Sequence, residues 1–145
     1  MEIGLRFSEV ETAIAEYLKS TEMYRYVSDR AYWGWRRVQE VASDRWNFLD
    51  MKNHRPLSLE GFRYAFDFSC GLAVVDSRDS NDDFGSFYHI NTSGEPVYSE
   101  RWHSAGDMCR DENGIMSAGI IHAGKKFRIN AKGEIIPGTE KPWPT

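Results

Sequence analysis

Two stretches of this chain, 39 residues apart, follow one pattern. Phe87 to Glu95 reads FYHINTSGE and Lys126 to Glu134 reads KFRINAKGE. Ile90 maps onto Ile129, Asn91 onto Asn130 and Gly94 onto Gly133. A weaker copy runs from Trp46 to Asn53, where Leu49 stands for Ile90, Asp50 for Asn91 and Asn53 for Gly94. A period near 40 residues implies a series of supersecondary units, none able to bury its apolar face alone. The first half of the unit recurs as well. Arg63 to Val74 corresponds to Arg101 to Met108 followed by Gly114-Ile115-Met116, and Asp67 precedes Asp107 by 40 residues. The copies differ by short insertions, which loops absorb at low cost.

Each unit reads as a three-stranded meander. Apolar and polar residues alternate through Trp46–Leu49, Tyr88–Asn91 and Phe127–Asn130, the period of a half-buried strand. NTSG at 91–94 and NAKG at 130–133 are turn sequences. Upstream, residues 8–22 read as a helix. Ser8 is the N-cap, Glu11 completes a capping box, and Val10, Ala13, Ile14, Tyr17 and Leu18 form one apolar stripe. This helix is expected to cap the first unit's open edge. Residues 23–45 admit two assignments: β-structure from Trp35 to Ala42, or a second helix over 29–41. The expected fold is therefore mainly β with an N-terminal helix, about three antiparallel meanders forming a short solenoid or twisted sheet. A face-to-face sandwich or half-barrel is the alternative. The predicted layout is a single domain, 1–145. It has a capping helix at 8–22, a degenerate repeat at 35–60, repeats at 61–98 and 99–137, and a Pro-rich tail at 138–145.

These motifs resemble the WG-containing repeat family (KWG-like β-repeats). Phe68-Ser69-Cys70-Gly71-Leu72-Ala73-Val74-Val75 resembles the first half of its unit, and Gly85 to Gly94 the second. The last unit keeps Gly114-Ile115 and Phe127 to Gly133. Aromatic-polar pairs replace the family's Trp-Gly at the strand positions, and Trp33-Gly34 lies outside the register. The resemblance covers residues 45–137. It implies a binding or scaffolding module and brings no catalytic residues with it.

Composition removes several function classes. With a net charge of −4 the chain lacks the overall basic character of a nucleic-acid binder, leaving only a local group at Arg36, Arg37 and Arg45. No apolar run approaches the length of a membrane span and the N-terminus lacks the pattern of a signal peptide, so a cytoplasmic protein is expected. Two cysteines, Cys70 and Cys109, are too few for a disulfide scaffold and read as buried thiols.

Residues that break the repeat are the functional candidates. The acidic insertion between Asp76 and Gly85 is the clearest. Asp79-x-Asn81-x-Asp83 has the spacing of a calcium loop, but Phe84 stands at position six and Ile90 at position twelve, where Gly and Glu belong. The insertion reads as a solvated hairpin tip, with a protein-contact loop and then a weak calcium site as the alternatives. The histidines His54, His89, His103 and His122 have no ligand spacing, so neither a metal nor a cofactor is expected. His89 occupies the position of Arg128 on the predicted outer face. The expectation is a non-enzymatic protein-binding module whose contacts are Asp79, Asp82, Asp83, His89, Trp33, Trp35 and Trp102. Its protein partner would carry a basic patch. The alternative is a small acidic inhibitor of anti-defence or immunity type that blocks a nucleic-acid-handling or other enzyme by direct binding.

Overall fold

The computed structural model describes residues 7–77 and 85–143. It is mainly β, with one N-terminal helix and three open antiparallel sheets. The chain forms two compact units, Met1–Gly61 and Phe62–Thr145.

In the first unit, α1 (Phe7–Ser20) precedes a meander of β1 (Tyr24–Tyr32), β2 (Trp35–Glu40) and β3 (Trp46–Asp50). The strand assignment from Trp35 holds, and the helix over 29–41 does not form. β-Branched and aromatic residues recur through 24–38, and Trp33-Gly34 makes a two-residue turn between β1 and β2 (φ 53° and 84°). α1 begins by Phe7, so Ser8 lies inside its first turn instead of preceding it. Its inner face is also rotated from the expected stripe. Glu11, Ala15 and Leu18 are buried, with Ile14 packed beside them, whereas Val10, Ala13 and Tyr17 are exposed. Ala15 and Leu18 pack against Val27, Val38 and Leu49 from the three strands.

Glu11 is buried because Arg36 is. On β2, Arg36 lies opposite Leu49, on the face that α1 covers. Its Nη2 donates to Glu11 Oε2, and its Nη1 donates to the Ser28 carbonyl oxygen at 2.7 Å. Each charge removes the need to solvate the other, at the expense of an apolar contact at the centre of the helix–sheet layer.

The second unit holds the other two sheets. β4 (Tyr64–Ala65), β5 (Ala73–Asp76) and β6 (Phe87–Ile90) form one meander. The second sheet has the order β11 (Lys141–Pro142), β10 (Lys125–Ile129), β9 (Met116–His122) and β7 (Ser104–Ala105), with β8 (Cys109–Arg110) also pairing β9. The tail thus contributes an edge strand, with Pro142 at the edge where a missing N–H is tolerated. The two sheets touch through an antiparallel bridge, Phe87 with Trp102, and through Ser69 Oγ, which donates to the Met108 carbonyl oxygen at 2.8 Å.

The recurring Asn has a physical cause. Asn91 Oδ1 accepts from the amides of Ser93 and Glu95, and Asn130 Oδ1 from those of Lys132 and Glu134, at 2.9–3.0 Å. Asp111 closes a similar turn with Asn113 and Ile115. Asp50 does so with Lys52 and Asn53, and those two amides hold its carboxyl below the usual range. Asp50's turn is one residue longer than the repeat alignment implies. His54, not Asn53, takes the positive φ (57°) that Gly94 and Gly133 supply elsewhere.

Candidate functional site

The seven residues nominated from sequence scatter. Asp79, Asp82 and Asp83 lie outside the described residues. His89 is fully buried, which corrects its expected placement on the outer face, and Trp102 is nearly so. Trp35 is half-buried in β2, and Trp33 is 56% exposed.

His89 and Trp102 meet at Tyr98. Trp102 Nε1–H donates to Tyr98 Oη at 3.0 Å, and Tyr98 Oη stands 2.6 Å from His89 Nδ1. His89 Nε2 faces the Gly106 carbonyl oxygen at 2.9 Å. A carbonyl only accepts, so Nε2 carries the proton and Nδ1 accepts from the Tyr98 hydroxyl. Burial favours this neutral imidazole and pushes the His89 pKa down; the same burial pushes the Tyr98 hydroxyl up to about 12. Every polar atom of the three side chains is thereby used. The arrangement is a satisfied internal network, not a general base waiting for a substrate.

Trp33 differs in kind. An L-residue at φ 53° in a tight hairpin turn is strained by about 1–2 kcal/mol, and Asn, Asp or Gly would fit there more easily. Cys70 (φ 52°) before Gly71 and Ala123 (φ 52°) before Gly124 occupy like positions, but only Trp33 puts a large apolar side chain at the tip. Tyr32, beside it, is also exposed. Elsewhere in this unit the Arg37 guanidinium lies against two adjoining rings, 5.2 Å from the Tyr26 centroid and 5.1 Å from that of Trp46.

The C-terminal sheet carries a groove of about 600 Å³ that was not among the sites expected from sequence. Its origin is visible when the two sheets of the second unit are laid register on register. On one face the pairs stay apolar: Ala65 and Ala105, Ala73 and Ala118, Val75 and Ile120, Tyr88 and Phe127, Ile90 and Ile129. On the other face every pair changes. Phe66 gives way to Gly106, Val74 to Gly119 and Asp76 to Ile121. Phe87 gives way to Lys126, His89 to Arg128 and Trp102 to Lys141. Removing two floor side chains opens the groove, and three cations line it.

Among the described residues no group of three or more His, Cys, Asp or Glu converges to hold a metal ion. Cys70 and Cys109 are free thiols; Cys70 is half-buried and Cys109 exposed, so neither is the buried cysteine expected. His103 and His122 line a smaller cavity of about 420 Å³ with Arg101 and Trp143. Among the described residues no helix is long and apolar enough to cross a membrane. Compared with protein-family models, curated proteins and solved structures, the chain matches none.

Proposed function

We propose that the chain is a non-enzymatic protein-binding module of the β-repeat kind its sequence resembles, acting on a cytoplasmic partner. The observation that carries this is Trp33. Its backbone is strained and its indole is exposed, and both features work against the stability of the isolated fold. A hairpin tip bearing Tyr32 and Trp33 presents aromatic surface with little side-chain entropy to lose, and Trp and Tyr are the commonest anchors of protein interfaces. The unbridged thiols are compatible with a reducing compartment. Within the second unit, the bridge between Phe87 and Trp102 supports sequential packing of the last two meanders as repeats.

The test is affinity capture from source-cell lysate with wild-type and Trp33→Asn baits, followed by direct binding to the purified captured protein. A partner held at least tenfold more weakly by Trp33→Asn supports a module anchored at the tip. Equal capture by both baits would remove the tip from the interface. Assaying the partner's own activity in the complex separates an inhibitor, which abolishes it, from a scaffold, which leaves it intact.

A further inference from the structure

We propose that the groove on the β11-β10-β9-β7 sheet is a binding site for a phosphate monoester carried on a small organic body. Three independent features of this groove converge on that ligand.

The first is charge. Lys126 and Lys141 are register partners across β10 and β11. Like charges directly opposite one another destabilise a strand pair. Among the described residues neither lysine has a carboxylate partner, although neighbouring Lys125 pairs with Glu140. Among the described residues no acidic side chain lines the groove. The corresponding pair in the preceding sheet is Phe87 with Trp102, so the scaffold itself asks for no cation there.

The second is preorganisation. Arg128 Nε and Nη2 both donate to Ser117 Oγ, at 3.0 and 2.8 Å, and Ser117 is buried. The guanidinium is therefore held in place, with Nη1 left over the groove floor beside Gly119. A fixed guanidinium edge with two mobile ammonium groups matches a dianionic phosphate better than a single carboxylate, which would leave two charges unbalanced.

The third is the floor. Neither Gly106 nor Gly119 lies in the left-handed region. A Cβ at Gly119 would lie 3.7 Å from Arg128 Nη1, and one at Gly106 would lie 3.6 Å from the Gly119 carbonyl oxygen, both ordinary contacts. Neither backbone conformation nor packing requires glycine at these positions. Glycine inside a strand such as β9 weakens it, and it marks places where a ligand approaches the backbone closely. The volume falls within the range of small-molecule sites, and Ile121 beside the glycines offers an apolar bed for the organic body.

The test is an NMR titration of the full chain with phenyl phosphate at constant ionic strength, following the Gly106 and Gly119 amides. Saturable shifts are expected at both, with binding at least tenfold tighter than inorganic phosphate. Lys126→Gln combined with Lys141→Gln should weaken binding at least tenfold, and Gly119→Val, which restores the residue of the preceding sheet, should abolish it. The lysine variants change exposed or half-buried positions and keep the test decisive should Gly119→Val fail to fold. Shifts that sodium chloride reproduces, equal affinity for inorganic phosphate, or undiminished binding by the double lysine variant would each overturn the proposal.

Discussion

His89 Nε2 stands 2.9 Å from the carbonyl oxygen of Gly106, and that single contact fixes where the imidazole proton resides. Because the carbonyl can only accept, Nδ1 is left bare for the Tyr98 hydroxyl. A second proton on His89 would set two donors against each other across 2.6 Å, in a site with no water-exposed edge.

Stability should therefore depend on pH through His89. Its folded pKa lies below the ordinary value of 6.5, so below that value the unfolded chain binds more protons than the folded one. The His89 contribution is complete above about pH 6.5 and is lost progressively as pH falls from there towards the lowered folded value. Melting temperatures across pH 5–8 should show a steeper acid-side decline for wild type than for His89→Gln, whose amide can serve both partners without titrating. Parallel curves would mean that His89 does not titrate in this window. Truncation to His89→Ala leaves the Tyr98 hydroxyl proton without its acceptor and the Gly106 carbonyl without the imidazole donor, and should cost about 1–3 kcal/mol in urea unfolding.

The Glu11–Arg36 pair should show strong coupling. Among the described residues Glu11 Oε1 and Arg36 Nε have no hydrogen-bond partner, so within that set the pair is only partly satisfied. Removing one member strands a buried charge, and Glu11→Ala is expected to cost about 3–5 kcal/mol. Glu11→Leu combined with Arg36→Met should cost far less than the sum of the single changes, as read by a double-mutant cycle. Additive losses would mean that the two side chains do not meet.

Two glycines of similar φ should respond differently to alanine. Gly114 (φ 78°) has open space where a Cβ would go, so Gly114→Ala adds only backbone strain of about 1–2 kcal/mol. At Gly133 (φ 79°) the Cβ would sit 2.5 Å from Tyr98 Cγ. Gly133→Ala should exceed the other loss by at least about 1 kcal/mol, because Tyr98 is held by both His89 and Trp102 and cannot yield. Equal thermal shifts would contradict that packing.

The strands and turns were legible in the sequence because each is a local device. An Asn side chain that closes its own turn needs no tertiary partner, so Asn91 and Asn130 announce themselves at any burial. The rotation of α1 was not legible. Hydrophobicity assigns Glu11 to the surface, and only Arg36, 25 residues away, gives it a reason to be inside. His89 misled for a related reason. Alternation along the strand marked it as outward, but the carbonyl of Gly106, in the next sheet, covers that face. The groove had a trace in the repeat itself. Comparing Phe87, His89 and Trp102 with Lys126, Arg128 and Lys141 shows aromatic character replaced by positive charge on one face. Recognising it required the pairing register, because those positions share a face only once the strands are aligned.

The most direct test concerns Trp33 and combines two measurements on Trp33→Asn, its melting temperature and its affinity for the captured partner. Asn tolerates the positive φ of the turn better than Trp, so the variant should be as stable as wild type or more stable, by up to about 1 kcal/mol. Its partner affinity should fall at least tenfold. A gain in stability together with a loss of binding would identify Trp33 as a residue kept for recognition at the expense of the fold. A variant that is less stable, or that binds its partner as tightly as wild type, would contradict the assignment of this chain as a binding module anchored at the hairpin tip.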